Sequence, residues 1–257
     1  MGIDRRKLVC GVAASVGAAS AARGQQPTHR VIPPWEVQAA PIGSSEDELR
    51  IHTDWAQLGQ YREDNLQVRA LPAAERRVSF MGDSITRAWR VFRPEFFTSS
   101  GFIDRGISGQ TTPQMLVRFR QDVISLEPEA VHIMAGTNDV AENTGPYDPP
   151  STKNNLMSMV ELARIHRLRI VLATIPPAAA FPWRTVAEPV AKLRALNEWI
   201  REYARINRFV LADYAPLLDD GAGGMKAGLA YDGVHPTSAG YLVMEQVTAR
   251  AIAEALA

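Results

Sequence analysis

Five short apolar runs constrain the fold of this chain most. Each is stopped by a glycine, proline or aspartate, and helical patterns separate them. They are Arg77 to Met81 running into Gly82, a weaker stretch around Ile103 ending at Gly106, and Ala130 to Ala135 entering Gly136. Arg169 to Thr174, halted by Pro176 and Pro177, and Phe209 to Ala212, ending at Asp213, complete the set. Between them, apolar residues recur at helical spacing: Leu116, Phe119 and Val123; Leu156, Met159, Val160 and Ala163; Leu193, Leu196, Ile200 and Tyr203. A last helix is expected over Ser238 to Leu256. Strands that are apolar throughout, with no alternation, are buried on both faces. The pattern therefore predicts an α/β domain of about five parallel strands with helices on both sides. Ligand sites in such sheets gather at the carboxyl ends of the strands.

The N-terminus reads differently. Arg5, Arg6 and Lys7 precede an uncharged Ala-, Gly-, Val- and Ser-rich stretch from Leu8 to Ala22, and Ala19-Ser20-Ala21 fits a small-x-small cleavage site. Residues 1–22 are expected to be an export signal, too short and too weakly apolar to anchor in a bilayer. The paired arginines resemble a twin-arginine signal, with Asp4 where Ser or Thr is usual. A periplasmic or secreted protein without a stable membrane anchor is expected. Residues 23–50, with Pro27, Pro33, Pro34 and Pro41, read as an extended arm, and residues 51–257 as one domain. A helix over Asp54 to Val68 is expected to pack Trp55, Leu58, Tyr61 and Leu66. Cys10, the only cysteine, lies inside the signal, so disulfides, thiolate catalysis and cysteine-ligated zinc are not expected after processing. Formal charge is zero, with 28 basic and 28 acidic residues and no run of five like charges, so nothing points to nucleic acid as a partner.

Four segments carry chemistry: Gly82-Asp83-Ser84, Gly106-Ile107-Ser108-Gly109, Gly136-Thr137-Asn138-Asp139 and Asp232-Gly233-Val234-His235. A serine hydroxyl attacks a carbonyl only when a base removes its proton. Of five histidines, His235 is the best base, in a Gly- and Pro-bounded loop with Asp232 three residues earlier to fix its tautomer. His29 and His52 belong to the arm region, His132 sits inside an apolar strand as a core histidine, and His166 reads as a helix end. The backbone amides of Ser84 and Gly109 and the side-chain amide of Asn138 suit the donors that a developing oxyanion needs. Trp89, Tyr147, Phe181 and Trp183 follow strands or these segments and are candidates for the substrate pocket, while Trp199 reads as core. No G-x-G-x-x-G, Walker-type loop or histidine cluster occurs, so neither cofactor nor metal is expected.

With those residues in view, the chain resembles the SGNH hydrolases, or GDSL esterase/lipase superfamily, over roughly Arg77 to Ala257. Its four blocks stand here as Gly82-Asp83-Ser84-Ile85, Arg105-Gly106-Ile107-Ser108-Gly109, Gly136-Thr137-Asn138-Asp139 and Asp232-Gly233-Val234-His235-Pro236. The pattern is most similar to bacterial acylhydrolases akin to platelet-activating-factor acetylhydrolase catalytic subunits. The resemblance implies a three-layer, flavodoxin-like fold, a Ser84–His235–Asp232 triad, and an oxyanion hole from Ser84, Gly109 and Asn138. It also implies short acyl groups without fixing the alcohol, and with the expected export it favours deacetylation of a carbohydrate or similar small-molecule ester. The chain departs from many relatives at Asp104, where they carry Asn. A long-chain lipase or lysophospholipase, an acyltransferase using the same residues and a catalytically idle carbohydrate-binding protein stay open as alternatives.

Overall fold

The chain is described by a computed structural model covering Glu48, Leu49 and residues 52–257. The expected signal, with Cys10, and all but two residues of the expected arm lie outside the described residues. The five apolar runs form β1 (Val78–Gly82), β2 (Phe102–Gly106), β3 (Ala130–Met134), β4 (Arg169–Ala173) and β5 (Val210–Ala212). All pair in parallel in the order β2-β1-β3-β4-β5. Chain order therefore runs outward one way from β1 to β2, and the other way from β3. The crevice between β1 and β3 is the switch point where such sheets hold ligands.

Helices α1 (Arg62–Ala70), α2 (Ser84–Phe92), α3 (Pro94–Thr98), α4 (Thr112–Asp122), α5 (Thr137–Val140), α6 (Pro149–Ile165), α7 (Pro189–Asn207), α8 (Ala215–Leu218) and α9 (Ser238–Leu256) fill the connections. Every residue of β1 and β3 is buried, and neighbours along β1 point to opposite faces. Ser79 Oγ donates to the Asp122 carbonyl at the end of α4, at 3.3 Å. Phe80 faces the other way, its ring 5.9 Å from Trp89 of α2 and 5.2 Å from Phe97 of α3. Helices thus cover both sides of the sheet, as the apolar strands require. On the Phe80 side α2 and α9 lock together: Trp89 stacks on Tyr241 at 5.6 Å, and Tyr241 Oη donates to the Ile85 carbonyl at 2.8 Å.

One expected helix is shorter than the sequence suggests. Residues 54–61 turn instead, because the Asp54 carboxylate accepts from the Leu58 and Gly59 amides and Gln57 takes a left-handed φ of 55°. Helix α1 begins only at Arg62, leaving Leu66 61% exposed and Trp55 37% exposed. The turning segment is stitched to the β2–α4 region by polar bonds. Tyr61 Oη donates to the Gly106 carbonyl (2.5 Å), Gln110 Nε2 to Ala56 (2.9 Å), Gln114 Nε2 to Trp55 (2.8 Å) and Gln121 Nε2 to Leu58 (2.8 Å). The fully buried Arg105 guanidinium pairs with Asp64 at 2.7 Å and donates to Asn65 Oδ1 at 3.0 Å. Among the described residues, no helix is long and apolar enough to cross a membrane.

His132 lies in the core, as its strand position suggests. It is fully buried, stacks on Phe80 at 4.7 Å and has Nε2 2.8 Å from Tyr214 Oη. Burial pushes its pKa down to about 3. In the unfolded chain a histidine takes its proton near 6.5. Stability is therefore complete above that pH and declines as pH falls from about 6.5 towards 3. Asp83 and Asp104, which burial lifts to about 6, work in the opposite sense. The folded state keeps their protons where the unfolded chain releases them near 4, so acid favours folding through that pair. Comparing wild type with His132→Gln cancels the aspartates. Urea unfolding should show wild type losing more stability than the variant between pH 7 and pH 4; equal losses would contradict the assignment.

Candidate active site

Ser84 is the first residue of α2, directly after β1, and Asp83 caps that helix by accepting from the Ile85 amide at 2.9 Å. The first turn of α2 lies hard against the sheet. A Cβ on Gly106 would stand 2.3 Å from Arg87 N and 2.6 Å from Asp83 O, so only glycine lets β2 approach there. Ser84 Oγ lies 2.9 Å from His235 Nε2.

The loop that carries His235 is built around one carboxylate. Asp232 Oδ1 accepts from the Val234 amide (2.9 Å) and the His235 amide (2.8 Å), while Oδ2 pairs with His235 Nδ1 at 2.7 Å. Gly233 supplies the positive φ of 86° that this tight turn needs, and Tyr231 N donates to the His235 carbonyl to close it. The spacing Asp-Gly-x-His is thus a geometric requirement: one side chain fixes both backbone and ring. Burial would lift the Asp232 pKa, but the hydrogen bond and charge of His235, with the two amides, hold it at about 2. An anionic acceptor at Nδ1 fixes the proton there and turns Nε2, as acceptor, towards Ser84.

The other two segments end at the same crevice. Gly109 turns with φ 76° after β2, and Asn138 lies in α5 after β3, 2% exposed. Asn138 Nδ2 donates to the Gln110 carbonyl at 3.0 Å and lies 3.4 Å from Asp83 Oδ2. Asn143 Nδ2 donates both to Asn138 Oδ1 (2.9 Å) and to the Gly109 carbonyl (3.2 Å). Gly109 and Asn138 are in this way joined through Asn143, and Asn138 lies beside Asp83, the residue before Ser84. Asp139 braces the group from behind, accepting from the Thr112 amide at 2.9 Å and from the Thr152 hydroxyl at 3.2 Å. Asp104, the departure from many relatives, accepts from the Gly106 amide at 2.8 Å, so its carboxylate holds the β2 end in place.

The four aromatic candidates separate. Trp183 stands at the site: its ring is 5.8 Å from that of His235, and its Nε1 donates to Asn143 Oδ1 at 3.0 Å. Phe181, buried, packs behind it at 5.5 Å. Tyr147 is half-buried, with the Lys192 ammonium 5.9 Å over its ring, and burial pushes its hydroxyl up to about 12. Trp89 does not line a cleft. It is fully buried and stacked on Phe96 and Tyr241, with Nε1 3.3 Å from Glu245 Oε1, because five residues along α2 from Ser84 brings it round to the sheet side. Asn143 and Gln110 went unread in the sequence. Each is a polar residue in a loop, and loops carry no periodicity to single one out.

Residues 80–243 match the GDSL-like Lipase/Acylhydrolase family. A GDSL-like lipase structure from Bacteroides thetaiotaomicron is 42% identical, with a TM-score of 0.76, covering 79% of this chain and all of that one. The acetylxylan esterase of Geobacillus stearothermophilus is 27% identical over 209 residues, 67% of this chain and 92% of the esterase. A Streptococcus pneumonia structure named for platelet activating factor shares the fold at 21% identity and TM-score 0.65, over 80% of this chain and 99% of that one. The chain belongs to the GDSL-like lipase/acylhydrolase family and is a carboxylic-ester hydrolase.

Proposed function

We propose that the chain is an exported esterase that removes short acyl groups, acetyl above all, from a small-molecule or carbohydrate ester through an acyl-serine on Ser84. One observation carries the reading: Ser84 Oγ, both nitrogens of His235 and Asp232 Oδ2 form an unbroken chain of contacts at 2.9 and 2.7 Å. Ser84 Oγ attacks the ester carbon while His235 Nε2 takes its proton. The carbonyl electron pair moves to oxygen, where the Ser84 and Gly109 amides and Asn138 Nδ2 are the donors for the new charge. Collapse of the adduct expels the alcohol, which leaves with the proton from Nε2. Water then repeats the sequence at the acyl carbon, freeing the carboxylic acid and restoring the serine. The α2 N-terminus adds a favourable field at the reacting centre.

Acetyl specificity draws support from the acetylxylan esterase relative and from Trp183, which walls the site beside His235. The arginine-led stretch before Ala22 supports export. Rates on acetyl and dodecanoyl esters of one alcohol should favour the acetyl ester; the reverse order would make the chain a long-chain lipase.

Ser84→Ala should lower kcat on an acetyl aryl ester by about 10⁴- to 10⁶-fold with unchanged circular dichroism; turnover within tenfold of wild type would refute the nucleophile. Asp232→Asn should cost about 10⁴-fold by releasing the wrong imidazole tautomer. Because Asp232 stays anionic down to about pH 2, the kcat/KM profile of folded enzyme should show no step from Asp232 above pH 3, and a carboxylate step near 6 belongs to Asp83. A distinct carboxylate step between pH 3 and 5 would place Asp232 outside the catalytic chain.

A further inference from the structure

An oxyanion donor on an asparagine side chain has a weakness: rotating the amide by half a turn replaces the donor with an acceptor of the same shape. Something must fix which end faces the reacting centre. Around Asn138 the fixing contacts form a directed chain that starts at an indole. Trp183 Nε1 can only donate, and it donates to Asn143 Oδ1 at 3.0 Å. Asn143 Nδ2 is then compelled to face the other way, where it meets two acceptors, the Gly109 carbonyl at 3.2 Å and Asn138 Oδ1 at 2.9 Å. With Oδ1 held there, Asn138 Nδ2 faces the Gln110 carbonyl at 3.0 Å and the Asp83 carboxylate at 3.4 Å. Turning Asn138 over would set its oxygen against both of those oxygens, and its nitrogen against the Asn143 amide. The Asn143 hydrogens and the Asn138 hydrogen on the Gln110 carbonyl have acceptors in one sense only, and the second Asn138 hydrogen, whose nearest acceptor is Asp83 Oδ2 at 3.4 Å, is the one an oxyanion can take.

We propose that Asn143 is a positioning residue for the oxyanion hole: it takes its polarity from the Trp183 indole and hands it to Asn138 and Gly109 together. This rests on the acyl-serine reading above. Asn143 itself is held by backbone geometry. Glu142 adopts a left-handed φ of 59°, which ends α5 and turns the chain so that the Asn143 amide donates back to the Asn138 carbonyl at 3.1 Å. The next residue is tied down as well, Thr144 Oγ1 lying 2.9 Å from Thr111 Oγ1. Because Trp183 also faces His235, one indole borders the base with its ring and orients the electrophilic side with its N–H.

The test is Asn143→Asp, which keeps the shape and removes the donor. A carboxylate there opposes the Gly109 carbonyl and draws the Asn138 NH₂ group round towards itself, away from the hole. The expected result is a fall in kcat approaching the roughly 10²- to 10³-fold of a lost oxyanion donor, with KM within about threefold. Binding of methyl trifluoromethyl ketone, whose serine adduct carries the oxyanion, should weaken by the same factor as kcat/KM. In an Asn138→Ala background the same change should cost less than about a fifth of its effect in wild type. Should Asn143→Asp fail to fold, Trp183→Phe keeps the ring and deletes only the N–H, and is expected to lower kcat by about fivefold, what one neutral hydrogen bond is worth. A folded Asn143→Asp enzyme with kcat within threefold of wild type overturns the proposal. So does a loss that leaves ketone binding intact or persists in full without Asn138. Ser84→Ala run in the same assay separates the two failures: its retained turnover would sink the acyl-serine reading, whereas its inactivity beside a fully active Asn143→Asp enzyme sinks only this inference.

Discussion

The geometry of this site depends on how closely the first turn of α2 lies against the sheet. Gly82 and Gly106 stand side by side in register at the ends of β1 and β2. A Cβ on either would overlap α2, at 2.0 Å from Thr86 Oγ1 in one case and 2.3 Å from Arg87 N in the other. Interiors packed at crystal density do not absorb such overlaps without moving backbone. With both side chains absent, the helix settles where Asp83 caps it and Ser84 emerges at its tip. The neighbouring strand ends then deliver Gly109 and Asn138, and the loop before α9 brings His235 across. Every polar distance in the crevice presupposes that seating.

Two carboxylates lie near the same imidazole, and their surroundings drive them apart. Asp83 is fully enclosed beside Asn138, and burial lifts it to about 6 despite the Ile85 amide and the pull of His235. Asp232 is less enclosed, and the bonds from His235 and two amides hold it at about 2. Asp232, bonded to the ring, therefore keeps its charge down to about pH 2 and can stabilise an imidazolium, whereas Asp83 takes up a proton below about pH 6. Groups of one chemical type acquire separate roles because one is desolvated and the other hydrogen-bonded.

The strands were legible because burial on both faces leaves an uninterrupted apolar record, and all five runs became strands within a residue or two. Ser84, Asp232 and His235 were legible for a different reason: a capping aspartate before a serine, and an aspartate three residues before a histidine, are spacings that the local backbone itself enforces. Trp89 was misread as a pocket residue because its distance from Ser84 along the chain says nothing of its direction round α2. The expected helix over 54–68 began late because a single Asp54 carboxylate captured two amides that a helix would have used. Asn143 and Gln110 left no trace, since their importance lies in contacts between loops that are distant in sequence.

The stretch preceding β1 changes what counts as the working unit of this enzyme. The family match begins at residue 80, yet Arg105 finds its acceptors on Asp64 and Asn65, and Gln110, whose carbonyl receives Asn138, finds one on Ala56. Trimmed to the family boundary, the protein would retain the reacting groups and lose the acceptors of the Arg105 guanidinium. The stretch before β1 thus forms an outer girdle around the β2 end and the loop that carries Gly109 and Gln110.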